Sequence, residues 1–336
     1  MAEGGIRKIV SDKGFMARAE RWVLYSMLGF VGVFAIAAIL SGGEEVLAAL
    51  KRISIWEYGL LLGLSLLNYA GRAARWQLFT RKLDIDIPFG RNTLYYVAGF
   101  AMTATPAKAG EALRLWFMKR AHKIRYANSL NILVADRLSD MGGTLILVSV
   151  SVALYDAYWW VTAGAAGFTV LVTLFFMRPQ IGIMLINWAY ARVERSPRLF
   201  AQARHMMRQS ARLASIPTYS AALVLAVGGW FAEAFAFYLL LDILGAPIGL
   251  GEAVFIFGFS MLVGAAAMLP GGLGGTEATM FGLLVALGVS ADIAIAATAV
   301  IRSTTLWFAI LLGFMVLPAT LRRVRADETK LAGAPS

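Results

Sequence analysis

The sequence predicts an all-α integral membrane protein, with about six transmembrane helices and two re-entrant broken hairpins in an inverted-topology repeat and both termini cytoplasmic. Three observations predict it. Hydrophobic residues make up 59% of the 336 residues and charged ones 15%, whereas a soluble domain carries about 45–50% apolar and about 25% charged residues. The apolar residues gather in runs of the length that crosses a bilayer, about 20 residues. Of the 31 basic residues, 27 fall in five blocks that this pattern keeps on the cytoplasmic side, where positive residues are retained.

The first span runs from Val23 to Leu40, with Trp22 and Tyr25 as interfacial anchors. Its length and the lack of an A-x-A-like cleavage site set it apart from a signal peptide. The second runs from Ile55 to Trp76, the third from about Ala127 to Tyr155, and the fourth from Tyr158 to Met177. The fifth covers Tyr219 to Leu244 and the sixth Ile293 to Leu317. Trp159 and Trp160 read as interface anchors. Together these form one polytopic membrane domain over 23–320, between a cytoplasmic segment 1–22 and a tail 321–336.

Two further apolar stretches are interrupted. Thr93 to Trp116 is broken by Pro106, Lys108 and Gly110; Ala253 to Leu287 is broken by Pro270, Gly271, Gly272, Gly274 and Gly275. Proline and clustered glycine end helices, and the freed backbone groups need partners away from lipid. Each stretch is expected to enter the membrane, turn and leave on the same side, the alternative being two kinked crossings. Charge decides for the hairpins. Segments 1–22, 72–91, 108–125, 178–212 and 322–330 carry five, five, six, seven and four basic residues. Turning one hairpin into a single crossing would move basic blocks outside. The segment 178–212, all arginine in its basic residues and interleaved with Trp188, Leu199 and Phe200, reads as an amphipathic stretch on anionic lipid headgroups rather than as a nucleic-acid surface.

The hairpins share an order of residues. Glu111 and Glu277 each follow a Pro-Gly break, and each precedes an arginine in the next span, Arg137 after 26 positions and Arg302 after 25. The span before each hairpin is also charged, with Arg72 and Arg75 in one half (about 55–155) and Glu233 in the other (about 219–317). Halves of opposite sense with broken helices meeting near the midplane are the inverted repeats of secondary transporters. Charge in the bilayer is costly and marks function or a locking ion pair. Asp136 and Asp140 lie four apart, on one helix face beside Arg137. Arg72, Arg75, Arg114, Arg137 and Arg302 have the donor geometry for phosphate, while Glu111, Asp140 and Glu277 can hold them or carry protons. Such a cavity suits an amphiphile with an anionic headgroup, and a small soluble anion almost as well. The glycines at 271, 272, 274 and 275 read as a close-approach backbone or as a tight turn. No cysteine is present, and His122 and His205 are too far apart for a typical zinc site. No metal or cofactor is expected, and the absence of G-x-x-x-x-G-K-[ST] argues against ATP drive.

Several strings resemble one known family. Pro106-x-x-x-Gly110-Glu111-x-x-Arg114 followed by Asp136-Arg137-x-x-Asp140, and Pro270-Gly271-Gly272-x-Gly274-x-x-Glu277, resemble signatures of the lysylphosphatidylglycerol synthase transmembrane-region family. Asn68-x-x-x-Arg72-x-x-Arg75-Trp76 and Arg302-x-x-Thr305-x-Trp307 look like its early and late elements, so that the likeness covers about 20–320. The resemblance implies a flippase-like, non-enzymatic translocase of membrane lipid in a bacterial inner membrane, compatible with a homo-oligomer. The chain ends at Ser336 without the aminoacyl-transferase domain of the full-length synthases, which separates it from lysylphosphatidylglycerol synthesis. A lipid-modifying enzyme and a non-catalytic partner of a lipid-synthesis complex are the competing expectations.

Overall fold

The computed structural model describes residues 13–40, 43–105, 109–153, 178–193, 212–267 and 269–333, with the single positions 164, 167 and 204. Every regular element among the described residues is helical. In chain order they are α1 (Lys13–Leu40), α2 (Gly43–Lys51), α3 (Ile55–Lys82), α4 (Phe89–Ala98) with a 3-10 turn (Gly99–Met102), α5 (Ala109–His122), α6 (Tyr126–Ala153) and α7 (Pro179–Val193). There follow α8 (Ile216–Leu244), α9 (Leu250–Ala266) with a 3-10 turn (Pro270–Gly272), α10 (Gly275–Ala286) and α11 (Ala291–Arg302). A π turn (Ser303–Trp307) joins α11 to α12 (Phe308–Gly333). The expected fourth span, 158–177, lies outside the described residues apart from its two single positions, as do Pro106 and Lys108 and most of 194–211.

Local chemistry sets the helix ends. Ser54 caps α3: its hydroxyl accepts from the Glu57 amide at 3.3 Å and the Glu57 carboxylate accepts from the Ser54 amide at 2.7 Å, a reciprocal box. Pro217 stands in the first turn of α8, and Gly245, at φ 77°, closes that helix in the left-handed region. α12 runs on through the segment read as a tail. Its last turns are fastened to both arms of the first hairpin, by Arg91 to Asp327 at 2.9 Å and by Arg120 to Glu328.

Among the described residues two helices, Ile216–Leu244 and the continuous Ala291–Thr329, are long and apolar enough to cross a membrane. The exposure pattern fits lipid as solvent. Trp56, Ile39 and Val224 are 86%, 73% and 71% exposed, while Arg75 and Asp136 are fully buried. α8 lies at the centre, packed on α3, α6, α9 and α11.

Both interrupted stretches are helix–break–helix units whose arms pack on each other. In the first, helix α4 already stops at Ala98, eight residues before the expected Pro106 break. Tyr95 stacks on Phe117 with ring centroids 5.5 Å apart, so the arms run antiparallel. At the tip the carbonyl of Gly99 fills the space a side chain on Gly110 would need. The second tip repeats the device: Gly264 leaves room for the Thr276 side chain. Its turn uses Gly271, Gly272 and Gly274 at φ 64°, 69° and 86°, conformations that favour glycine. The arms have 10, 14, 17 and 12 residues; at about 1.5 Å per residue each is shorter than the roughly 30 Å hydrocarbon layer.

Each hairpin leans on the closing helix of the other half. α9 packs on α6, and α4 with its 3-10 turn packs on α12. At the latter contact Gly313 of α12 meets the backbone of Phe100 and Ala101 so closely that a Cβ there would collide with it. The apolar core divides accordingly. One cluster surrounds Trp76, Tyr96 and Phe117; another surrounds Phe237, Phe257 and Met280.

Candidate functional site

The charged residues predicted from sequence fall into two ion-pair clusters with Glu233 near both. In the larger cluster α3 supplies Arg72 and Arg75, and α6 supplies Asp136, Arg137 and Asp140. Arg75 Nε donates to Asp136 Oδ1 at 2.8 Å and its Nη2 to Asp140 Oδ1 at 2.6 Å. Arg72 Nη2 donates to Asp140 Oδ2 at 2.5 Å. Arg137 reaches Asp136 at 2.6 Å, Asp140 at 3.2 Å and, across to α5, Glu111 at 3.6 Å. The i, i+4 spacing of the two aspartates makes this possible, since both carboxylates project from one face toward α3.

Arg114 is different. It is buried, and among the described residues no carboxylate lies within ion-pair distance. Its guanidinium carbon sits 3.7 Å from the centre of the Tyr96 ring, 5.3 Å from Phe100 and 5.8 Å from Trp76. Nε donates to the Tyr96 carbonyl at 3.1 Å, whereas Nη1 is buried with no hydrogen-bond partner among the described residues. Three neighbours also keep a donor unused: Nε of Arg72, Nη1 of Arg75 and Nε of Arg137. Buried donors without acceptors cost free energy, and a cluster of them is what an oxyanion would satisfy.

The smaller cluster closes the second tip. Arg302 Nε donates to Glu277 Oε1 at 2.6 Å, and its Nη2 donates to the Gly271 carbonyl at 2.9 Å. Glu277 Oε2 accepts from the Gly274 amide at 2.7 Å. The glycine-rich turn is thus stitched at both ends by one ion pair, and Gly275, at the start of α10, packs against Val263, Gly264 and Ala267. In both halves, then, the hairpin glutamate meets the arginine of the following span, 26 and 25 positions further on. Glu111 and Glu277 do not meet each other in an ion-pair network; each belongs to its own cluster. Glu233 on α8 is close enough to Arg72 and Asp140 on one side and Arg302 on the other to feel all three charges.

The supporting residues were less visible in the sequence. Trp230 Nε1 donates to Asp140 at 3.3 Å and its ring lies 5.2 Å from the Arg72 guanidinium. The Tyr96 hydroxyl donates to Asp136 at 3.3 Å. The Tyr69 hydroxyl donates to the Thr305 carbonyl inside the π turn, and Tyr58 and Ser303 share a hydrogen bond of 2.8 Å. Aromatic residues are common in membrane helices, so nothing singles these out. The π turn itself falls on the Arg302-to-Trp307 string, and π turns occur often at functional sites.

The family description that fits this chain, lysylphosphatidylglycerol synthase TM region, matches residues 24–313. The chain belongs to the lysylphosphatidylglycerol synthase transmembrane-region family. Among its relatives is a UPF0104 membrane protein of Methanothermobacter thermautotrophicus, 24% identical over 323 residues, covering 87% of this chain and 94% of that protein. A second match to a UPF0104 membrane protein from the same organism is 26% identical over 235 residues, 64% of this chain and 69% of that protein. A UPF0104 membrane protein of Pyrococcus horikoshii is 21% identical over 323 residues, with 85% and 94% covered. Family and relatives agree with the exposed apolar helices: this is a membrane protein of that family.

Proposed function

We propose that this chain is a lipid translocase that moves a phosphate-bearing lipid between the leaflets of the plasma membrane by alternating access, coupled to protons. The substrate class is an anionic or zwitterionic phospholipid or a polyprenyl-phosphate-linked lipid. One observation carries the reading: Arg114 keeps a guanidinium buried over Tyr96 with, among the described residues, no carboxylate partner and one idle Nη1. A permanent cation held dry at such expense is explained by an anionic group that visits it. The unused donors on Arg72, Arg75 and Arg137 lie in the adjoining cluster, and exposed apolar helix surface around it suits the lipid tails.

The two short-armed hairpins support re-entrant segments, and the exchange of hairpins between halves supports an inverted repeat. In that scheme the hairpin tips gate the site from opposite sides, with Glu111–Arg137 and Glu277–Arg302 as the pairs that open and close. The arginine-rich segment 178–212 rests on anionic headgroups of the cytoplasmic leaflet.

The test uses protein in phosphatidylcholine vesicles carrying fluorescent phosphatidylglycerol in the inner leaflet, with appearance outside read by a membrane-impermeant quencher. Wild type should speed appearance, Arg114→Gln should slow it at least tenfold, and Arg114→Lys should fall between, since an ammonium keeps charge but loses the planar stack. Equal rates for wild type, Arg114→Gln and empty vesicles across phosphatidylglycerol, phosphatidylethanolamine and a polyprenyl phosphate would overturn the proposal.

A further inference from the structure

We infer that Glu233 is the proton site of this translocase, protonated while an anionic headgroup occupies the arginines and ionised once that anion has left; this rests on the translocase reading above. Four other carboxylates of the charged set, Glu111, Asp136, Asp140 and Glu277, each have an arginine within 4 Å. Glu233 has none among the described residues, although it is only 3% exposed. An ionised carboxylate without a partner is far more costly to bury than the neutral acid. Its polar neighbour is Asn68 on α3, an amide that can accept from the acid or donate to the carboxylate. The charged and titratable groups facing it are Tyr69 and Arg72 on α3, Asp140 on α6 and Arg302 at the end of α11. α9, also packed on α8, has Glu252 in its first turn as its one charged residue.

Counting charge joins proton to substrate. Five arginines, 72, 75, 114, 137 and 302, stand with five carboxylates, 111, 136, 140, 233 and 277. With Glu233 neutral the set has one surplus positive charge, which one phosphodiester anion cancels. With Glu233 ionised the set is already neutral and the anion has no electrostatic claim on it. Arg72 and Arg302 are the partners at hand: when a hairpin opens and frees one of them, the guanidinium favours the Glu233 carboxylate and the proton passes to water on the open side. Anion and proton therefore bind together and leave together.

The experiment uses purified full chain in nanodiscs of phosphatidylcholine. Infrared spectra of wild type saturated with short-chain phosphatidylglycerol should show a protonated carboxylic C=O band at neutral pH that Glu233→Gln removes, and Asn68→Leu should shift that band without abolishing it. Adding short-chain phosphatidylglycerol in weak buffer should draw about one proton per bound lipid, by linkage, in wild type and none in Glu233→Gln. Absence of a band that depends on Glu233, or equal proton uptake by the two proteins, overturns the assignment. If Glu233→Gln fails to fold, the Asn68→Leu shift decides: no shift in the band rejects Glu233. Failure of any phosphatidylglycerol to bind rejects the translocase reading and the linkage, while a pH titration of the infrared band still reports whether Glu233 takes up a proton.

Discussion

Arg302→Met and Glu277→Leu, alone and together, form the sharpest test of how the second tip is held. Arg302 is 2% exposed and Glu277 8% exposed, and each is the other's only ion-pair partner among the described residues. Removing one leaves a charge stranded, a loss of about 3–5 kcal/mol. Removing both leaves no stranded charge. What remains lost is the Gly271 carbonyl's donor and the Gly274 amide's acceptor, at about 1 kcal/mol each. The double variant should therefore cost about 2 kcal/mol, less than either single change. Equilibrium unfolding in mixed dodecylmaltoside–SDS micelles, followed by circular dichroism, gives all four corners of the cycle. If the double variant is as unstable as the two single losses added together, the ion pair does not hold the tip and the reasoning fails.

The close approaches at the tips make a second prediction. Gly110→Ala drives a methyl group into the Gly99 carbonyl and should cost at least about 1–3 kcal/mol as overpacking, in the same unfolding assay. Gly264→Ala collides with the Thr276 side chain, and Thr276→Ala should restore much of the loss. At the outer end of α12, Asp327→Asn with Glu328→Gln frees the last turns from Arg91 and Arg120; these partly exposed pairs are worth about 0–1 kcal/mol each, so limited proteolysis near the end of α12 should speed up while the unfolding midpoint hardly moves. Burial, reinforced by the nearby Arg91 charge, holds the His122 ring below its usual pKa in the folded chain. The unfolded chain then takes up protons first, so stability is full above about pH 6.5 and declines as pH falls below it; His122→Phe should flatten unfolding midpoints measured between pH 5 and 7.5.

Much of this arrangement can be read in the residues themselves. Charge in an apolar run is too expensive to be incidental, which is why Arg75, Asp136, Asp140, Glu277 and Arg302 stand out and why they prove to be paired. The matched Glu-to-Arg spacings mark the two halves as alike, while the ion pairs between those residues appear only in the packing. Proline and glycine place the second break well, because Gly271, Gly272 and Gly274 need positive φ. The expected Pro106 break lies outside the described residues, and nothing about Gly99 alone shows that helix α4 already ends at Ala98, where Gly110 packs closely against it. Periodicity likewise cannot show that Arg114 lies on Tyr96 rather than on a carboxylate, or that Tyr69 reaches into the turn after Arg302, because both are contacts between separate helices. The membrane-side alternation that suggested the repeat says nothing of which helices touch, and the leaning of each hairpin on the opposite half appears only in the packing.

The π turn at Ser303–Trp307 has a geometrical result for the longest rod among the described residues. Arg302 and Gly313 are eleven positions apart, about three turns of a regular α-helix, so an unbroken pitch would set them along one stripe. One wider turn swings the later stripe by about 100°, the arc of a single residue. The rod therefore shows its arginine to one tip and its glycine notch to the other, two neighbours that sit on different sides of it. Ironing out that turn would force a choice between them, so a slip of one residue there would reset both tips at once.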